Sequence, residues 1–209
     1  MTPVLYSFRR CPYAMRARIA IRAAGTPVYL REIVLRNKPE AFLEASESAT
    51  VPCLVTTDGV LDESLEIMEW ALAERDPEGW LDMPDECREW IARADGPFKH
   101  ALDRTKYATR YPDEDPVRHR VDAAAFLAAL NARIGAQPGG WLFGRATLAD
   151  MAILPFVRQF AFIDKDWFDA QPWPDLQDWL ARFLASEAFT AIMDKYPAWK
   201  PGDPPTRFG

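Results

Sequence analysis

Short strand-like segments alternate with helical ones up to residue 75, and past the break at Asp76-Pro77-Glu78-Gly79 only helical periodicity continues. Residues 4–8 are apolar and aromatic and read as a strand, followed by the turn Arg9-Arg10-Cys11-Pro12. Met15, Ile19, Ala20 and Ala23 then recur at helical spacing, with Pro12 suited to the first helical position and Gly25 to a stop before Pro27. Residues 28–34 read as a second strand and 37–45 as a short helix or helical loop. Residues 53–57 and 60–62 flank Asp58-Gly59, a two-residue hairpin signal. Ser64 is expected to cap a helix running to about Arg75, with Leu65, Met68 and Leu72 at i, i+3 and i+7. The order βαβαββα predicts an α/β domain over residues 1–76, a linker over 77–83 and an all-α domain over 84–209. In that second part helices are expected at 84–107, 116–135, 147–162, 175–185 and 186–196, with an irregular tail from 201. Thr147 and Asp150 have the spacing of an N-terminal capping box, and Pro155 is expected to kink or shift the helix they open.

Composition narrows the function. With 49% apolar and 27% charged residues over 209 positions the chain has enough material for a core. It lacks any run near the roughly 18 apolar residues of a membrane span. Its first residues do not have the order of a secretory signal, so the expected location is cytoplasmic, with no membrane partner. The net charge of −6 conceals an asymmetry: residues 1–31 hold six arginines and no acid, and the remainder carries a net −12. An acidic background makes nucleic acid a poor partner, whereas a small anion suits the basic segment. The plainer reading is that these arginines solvate one face of a helix. Three cysteines, Cys11, Cys53 and Cys87, form neither a disulfide framework nor a metal-ligand pattern with His100 and His119. Neither histidine has a carboxylate at a useful spacing, and both read as surface or packing residues.

Cys11 stands apart from the other two thiols. At a strand-to-helix junction, just before Pro12 and among arginines, it faces unpaired helix N–H groups and the positive end of the helix dipole, which favour thiolate over thiol. Only the thiolate is an effective nucleophile. The alternative is a buried, inert cysteine. Ala14 occupies the position where a second thiol would complete a C-x-x-C pair, so a mixed disulfide at Cys11 would need an external thiol to resolve it.

Cys-Pro-Tyr-Ala at 11–14, Asn37-Lys38-Pro39-Glu40, Val51-Pro52, Glu63-Ser64 and the Thr147–Phe160 segment occur in an order that resembles the cytosolic glutathione transferases, most closely the cysteine-type omega class. The resemblance covers the whole chain and implies a thioredoxin-like N-terminal domain joined to an all-helical C-terminal domain. It also implies glutathione as co-substrate, no metal, and a homodimer to which Met68 and Trp70 of the third helix are candidate contributors. By this resemblance Glu63 takes the γ-glutamyl ammonium, and the hydroxyl and N–H of Ser64 hold the adjoining carboxylate. Val51, before a cis bond to Pro52, meets the cysteinyl part of the peptide through its backbone. Lys38 meets the glycyl carboxylate and Tyr13 completes the glutathione-binding set. An acceptor pocket would be lined by Phe98, Tyr107 and Tyr111, also alongside Tyr13. The segment Ala45-Ser46-Glu47-Ser48-Ala49-Thr50 departs from the usual Asn-Pro-containing turn of the family.

Three functions remain open at this level. The first is a glutathione-dependent thiol transferase or reductase, acting through Cys11 on a small electrophile, a glutathione mixed disulfide or dehydroascorbate. The second is a non-catalytic binding protein that keeps the fold. The third is a conjugating transferase that uses the hydroxyl of Tyr6 or Ser7. Cys53 and Cys87 are assigned no role.

Overall fold

The computed structural model describes residues 2–209, which divide into two units, 2–81 with 185–209 and 82–184. In the first unit β1 (Val4–Ser7) leads through a tight turn into α1 (Pro12–Ala24), and then β2 (Val28–Glu32), α2 (Glu40–Ala45), β3 (Cys53–Val55), β4 (Val60–Leu61) and α3 (Ser64–Glu74) follow. This is the expected βαβαββα order, a thioredoxin-like sheet domain. β1 pairs in parallel with β2 and antiparallel with β3, which pairs antiparallel with β4. Gly25 ends α1 at φ 65°, a left-handed conformation that glycine adopts without a Cβ penalty.

The two faces of β1 diverge, as strand alternation requires. Tyr6 packs with Ile33, Phe42 of α2, Val51 and Cys53. Leu5 and Ser7, on the other face, are fully buried, and α1 packs against α3. Met68 of α3 belongs to this core, so burial rather than exposure sets its role, contrary to the expectation that it serves a dimer surface; Trp70 is half-buried.

The C-terminal segment departs from expectation. The short helix near 186–196 is confined to Glu187–Thr190, and residues 185–209 belong with the sheet rather than with the helical unit. Thr206–Phe208, in the tail expected to be irregular, forms a fifth strand, β5, antiparallel to β2, giving the order β4-β3-β1-β2-β5. The physical reason is an open edge: β2 is otherwise unpaired on one side, and the tail supplies its ladder and covers it. Arg22 donates to the Gly209 carbonyl (3.1 Å), and the Trp199 N–H donates to the Glu32 carbonyl (2.7 Å).

The second unit is helical: α4 (Glu86–Arg93), α5 (Lys99–Lys106), α6 (Pro116–Gly135), α7 (Leu148–Ala161), α8 (Lys165–Asp169) and most of α9 (Pro174–Ala185), followed in the first unit by α10 (Glu187–Thr190). The single helix expected over 84–107 is divided by a π turn at Ala94–Phe98 that contains Pro97. Proline has no N–H for the regular ladder, and the widened turn accommodates the break. α7 continues through Pro155. The expected capping box is present, and Asp150 does more than cap. Its buried carboxylate accepts from the Thr147 N–H (2.9 Å) and hydroxyl (2.8 Å), the Leu142 N–H (3.1 Å) and the Trp179 indole N–H (3.0 Å), tying α7 to the preceding loop and to α9. No helix among the described residues is long and apolar enough to cross a membrane.

Because β5 closes the sheet edge with buried Phe208, Phe208→Ala should lower stability by about 3 kcal/mol in urea unfolding. An unchanged midpoint would show that the tail does not hold the sheet.

Candidate functional site

The site is built from the carboxyl end of β1 outward. The Cys11 N–H donates to the Phe8 carbonyl (3.0 Å), closing the turn, and the Cys11 carbonyl receives the first helical bond, from the Met15 N–H (2.9 Å). Cys11 is therefore the N-cap of α1 in extended conformation, with Pro12 behind it and no acidic residue in the first turn. Its thiol is partly exposed and points to the Val51 carbonyl at 3.6 Å. The Val51-Pro52 bond is cis. Among the described residues the Val51 N–H has no acceptor, which leaves a backbone donor of the kind that an extended peptide pairs with.

The loop leading to Val51 is where the sequence departs from the family turn, and polar side chains build it. The Ser46 hydroxyl donates to Asp62 (3.2 Å), as does the Ser48 N–H (3.4 Å), and Ser48 and Thr50 share a hydroxyl bond of 2.7 Å. Ala49 adopts φ 50°, and its carbonyl accepts from the Lys38 ammonium at 2.9 Å. Lys38 thus braces the loop beside Val51, and a ligand carboxylate would share it with Ala49. Asp62 was missed at the sequence level because its partners lie 14 and 16 residues away.

α3 begins one residue earlier than expected. Glu63 is its N-cap, with its carbonyl accepting from Ile67 (3.1 Å) and its exposed side chain making no capping bond, while Ser64 is the first helical residue. The extended backbone at Glu63 turns helical at Ser64, leaving the Ser64 N–H as one of the unpaired donors of the first turn. The Ser64 hydroxyl accepts from Arg16 at 3.4 Å, and the Arg16 guanidinium stands 5.5 Å from the Tyr13 ring. Arg16 is buried. It sets positive charge beside the N–H and hydroxyl of Ser64, a combination suited to a carboxylate, next to an exposed acid suited to an ammonium.

The hydroxyl alternatives lie inside the protein. Tyr6 is buried, donating to the Ala41 carbonyl (3.3 Å) and accepting from Arg31 (2.5 Å), and Ser7 is fully buried on the opposite face. Of the residues expected around an acceptor, Phe98 is only 1% exposed and stacks on Phe126 at 4.8 Å, so it is core of the helical unit rather than pocket lining. Tyr107 and Tyr111 are half-buried, with Arg110 4.4 Å from the first ring and Arg104 4.5 Å from the second. His119 also differs from expectation: its Nε2 lies 2.6 Å from Glu114, which also accepts from Arg104 (2.7 Å), and its ring meets that of His100 edge-on at 5.6 Å. The loop over 107–115 folds Glu114 back onto the histidine, a return that sequence spacing alone did not reveal.

The three cysteines are not in disulfides. Burial pushes the Cys53 thiol up to about 12 and the Cys87 thiol up to about 11. With the native pKa raised, both stay protonated through the neutral range, and at pH 8 the thiolate is about one part in a thousand or less at either. Iodoacetamide at pH 8 should therefore alkylate Cys11 in the native protein and all three thiols after denaturation, as read by peptide mass spectrometry. Native labelling of Cys53 or Cys87 at the Cys11 rate would contradict this.

Comparison with known proteins agrees with the fold and with the order of its two parts. Family models described as glutathione S-transferase, N-terminal domain, and glutathione S-transferase, C-terminal domain, match residues 5–80 and 88–182. Glutathione S-transferase L2, chloroplastic, of Arabidopsis thaliana is 28% identical over 197 residues, covering 89% of this chain and 64% of its own length. Glutathione S-transferase omega-1 of Rattus norvegicus is 39% identical over 86 residues, 41% of this chain and 35% of its own length. The matches thus span less than two thirds of each of these relatives. A glutathione transferase family member from Pseudomonas fluorescens, solved with two glutathione molecules bound, superposes with a TM-score of 0.76 over 92% of both chains at 20% identity, a likeness of fold. Matched in both parts and in the same order, the chain belongs to the glutathione S-transferase family.

Proposed function

We propose that this chain is a glutathione-dependent thiol transferase, a reductase of glutathione mixed disulfides or dehydroascorbate, with Cys11 as its nucleophile. The observation that carries this reading is the placement of the Cys11 thiol at the N-cap of α1, 3.6 Å from the Val51 carbonyl, while the hydroxyls of Tyr6 and Ser7 are buried. Glutathione would lie with its cysteinyl backbone along Val51, its γ-glutamyl ammonium at Glu63 and the neighbouring carboxylate at Ser64 and Arg16. The glycyl carboxylate would be near Lys38. The Pseudomonas fluorescens relative, which was solved with glutathione bound, supports this choice of ligand. A homodimer in the manner of the family belongs to the same proposal, with Trp70 rather than buried Met68 available to it.

The reaction runs in two exchanges. The Cys11 thiolate attacks the glutathionyl sulfur of a mixed disulfide, forming Cys11–S–SG and releasing the other thiol, which takes up a proton. A glutathione thiolate then attacks the glutathionyl sulfur of that intermediate. Oxidised glutathione leaves and the Cys11 thiolate returns. The two electrons that reduce the substrate come from glutathione, and Ala14 in place of a second thiol makes that external step necessary.

Cys11→Ala should lower the rate of glutathione-coupled reduction of a mixed disulfide by at least about 100-fold, or about 2.7 kcal/mol of transition-state stabilisation. A full rate in the variant would refute the cysteine mechanism. Absence of turnover and of glutathione binding in the parent protein would favour the non-catalytic reading.

A further inference from the structure

The six N-terminal arginines are not all surface groups. Arg18 is fully buried, seven residues after Cys11 and so on the same side of α1. Its Nη2 donates to the Arg9 carbonyl at 2.5 Å. The N–H of the same residue, Arg9, donates to Glu32 Oε1, also at 2.5 Å. Glu32 ends β2 directly opposite Ser7, where β1 gives way to the Cys11 turn. Its second oxygen lies 3.8 Å from Arg18 Nη1, an ion pair too long for a hydrogen bond, and neither that oxygen nor Nη1 and Nε of Arg18 has a hydrogen-bond partner among the described residues.

We infer that Arg18 and Glu32 are positioning residues for Cys11, gripping both polar groups of Arg9 to fix the turn and holding a buried positive charge within electrostatic reach of the sulfur. This rests on the cysteine reading of the site. Burying two charges with incomplete hydrogen bonding is costly, and an apolar pair of similar volume would stabilise the fold at least as well. An apolar pair, however, could not hold Arg9 at both ends or place a cation near a thiolate. Burial lowers Arg18 to about 10, and Glu32 and Cys11 oppose that fall, with Arg9 and Tyr196 the other titratable neighbours. Coulombic coupling is mutual, so the guanidinium that gains from a Cys11 thiolate stabilises that thiolate in return. Glu32 works in the opposite electrostatic sense while serving the geometry, and burial raises its own carboxyl above the usual range.

The test is the pH dependence of Cys11 alkylation by iodoacetamide in the full chain, followed by mass spectrometry. Arg18→Met should move the midpoint up by about one pH unit or more, the effect of a lost nearby charge. Arg18→Lys, which keeps the charge but not the fork, should stay nearer the parent. Glu32→Gln retains an acceptor for the Arg9 N–H and removes the negative charge, so its midpoint should move down. Unchanged midpoints, or shifts of the same sign in Arg18→Met and Glu32→Gln, would overturn the inference. If Arg18→Met does not fold, the direction of the Glu32→Gln shift decides alone. The readout needs no turnover, so it separates failure of this inference from failure of the cysteine mechanism, which the Cys11→Ala rate tests.

Discussion

The turn between β1 and α1 is the constraint on which the site depends. A strand that must finish in the sheet and a helix that must start over it leave four residues, Phe8 to Cys11, to make the connection. The Cys11 N–H closes the turn on Phe8 and its carbonyl opens the helix, so the residue has no backbone freedom left, yet its side chain stays partly exposed. Any residue there would be an N-cap. A thiol there is an N-cap that can also become an anion in a field favouring one.

The surroundings follow from the same geometry. The loop ending in the cis Val51-Pro52 bond brings a backbone carbonyl to the sulfur, and Asp62, Ser46 and Ser48 hold that loop with side chains in place of a more regular turn. Asp62 precedes Glu63 and Ser64, so one short stretch both braces the Val51 loop and opens α3. Positive charge is supplied from inside. Arg16 reaches Ser64 and Arg18 reaches Arg9, both from buried positions on α1. The net charge of the segment is therefore less informative than where its guanidinium groups end up.

Much of this was legible in sequence, and the parts that were not share a cause. Pro12, Gly25 and the Thr147–Asp150 spacing act over a few residues, and each appears where local stereochemistry places it. Asp58-Gly59 does fall in the β3–β4 turn, but Val55 pairs with Val60, so the connection spans residues 56–59 rather than the two residues expected, because the Thr56 N–H closes it on the Gly59 carbonyl. The burial of Arg16 and Arg18 was not legible, because a periodicity count treats arginine as polar, whereas its long stem allows the head to reach backbone acceptors through the core. Nor was β5, which pairs residues 28–30 with 206–208 through a three-residue segment following two prolines. The Glu114–His119 contact and the Asp62 contacts likewise depend on loop paths. Cys11, Val51, Glu63 and Ser64 were singled out from local signals together with the resemblance; the contacts of Arg16, Arg18, Glu32 and Asp62 needed the fold.

The most direct test of Cys11 as the sulfur that exchanges with glutathione is peptide mass spectrometry of the native protein after a brief exposure to oxidised glutathione. The cysteine mechanism predicts a glutathione adduct on the peptide containing Cys11, removed by subsequent reduced glutathione, with Cys53 and Cys87 unmodified. An unmodified Cys11, or an adduct that reduced glutathione does not remove, would contradict it.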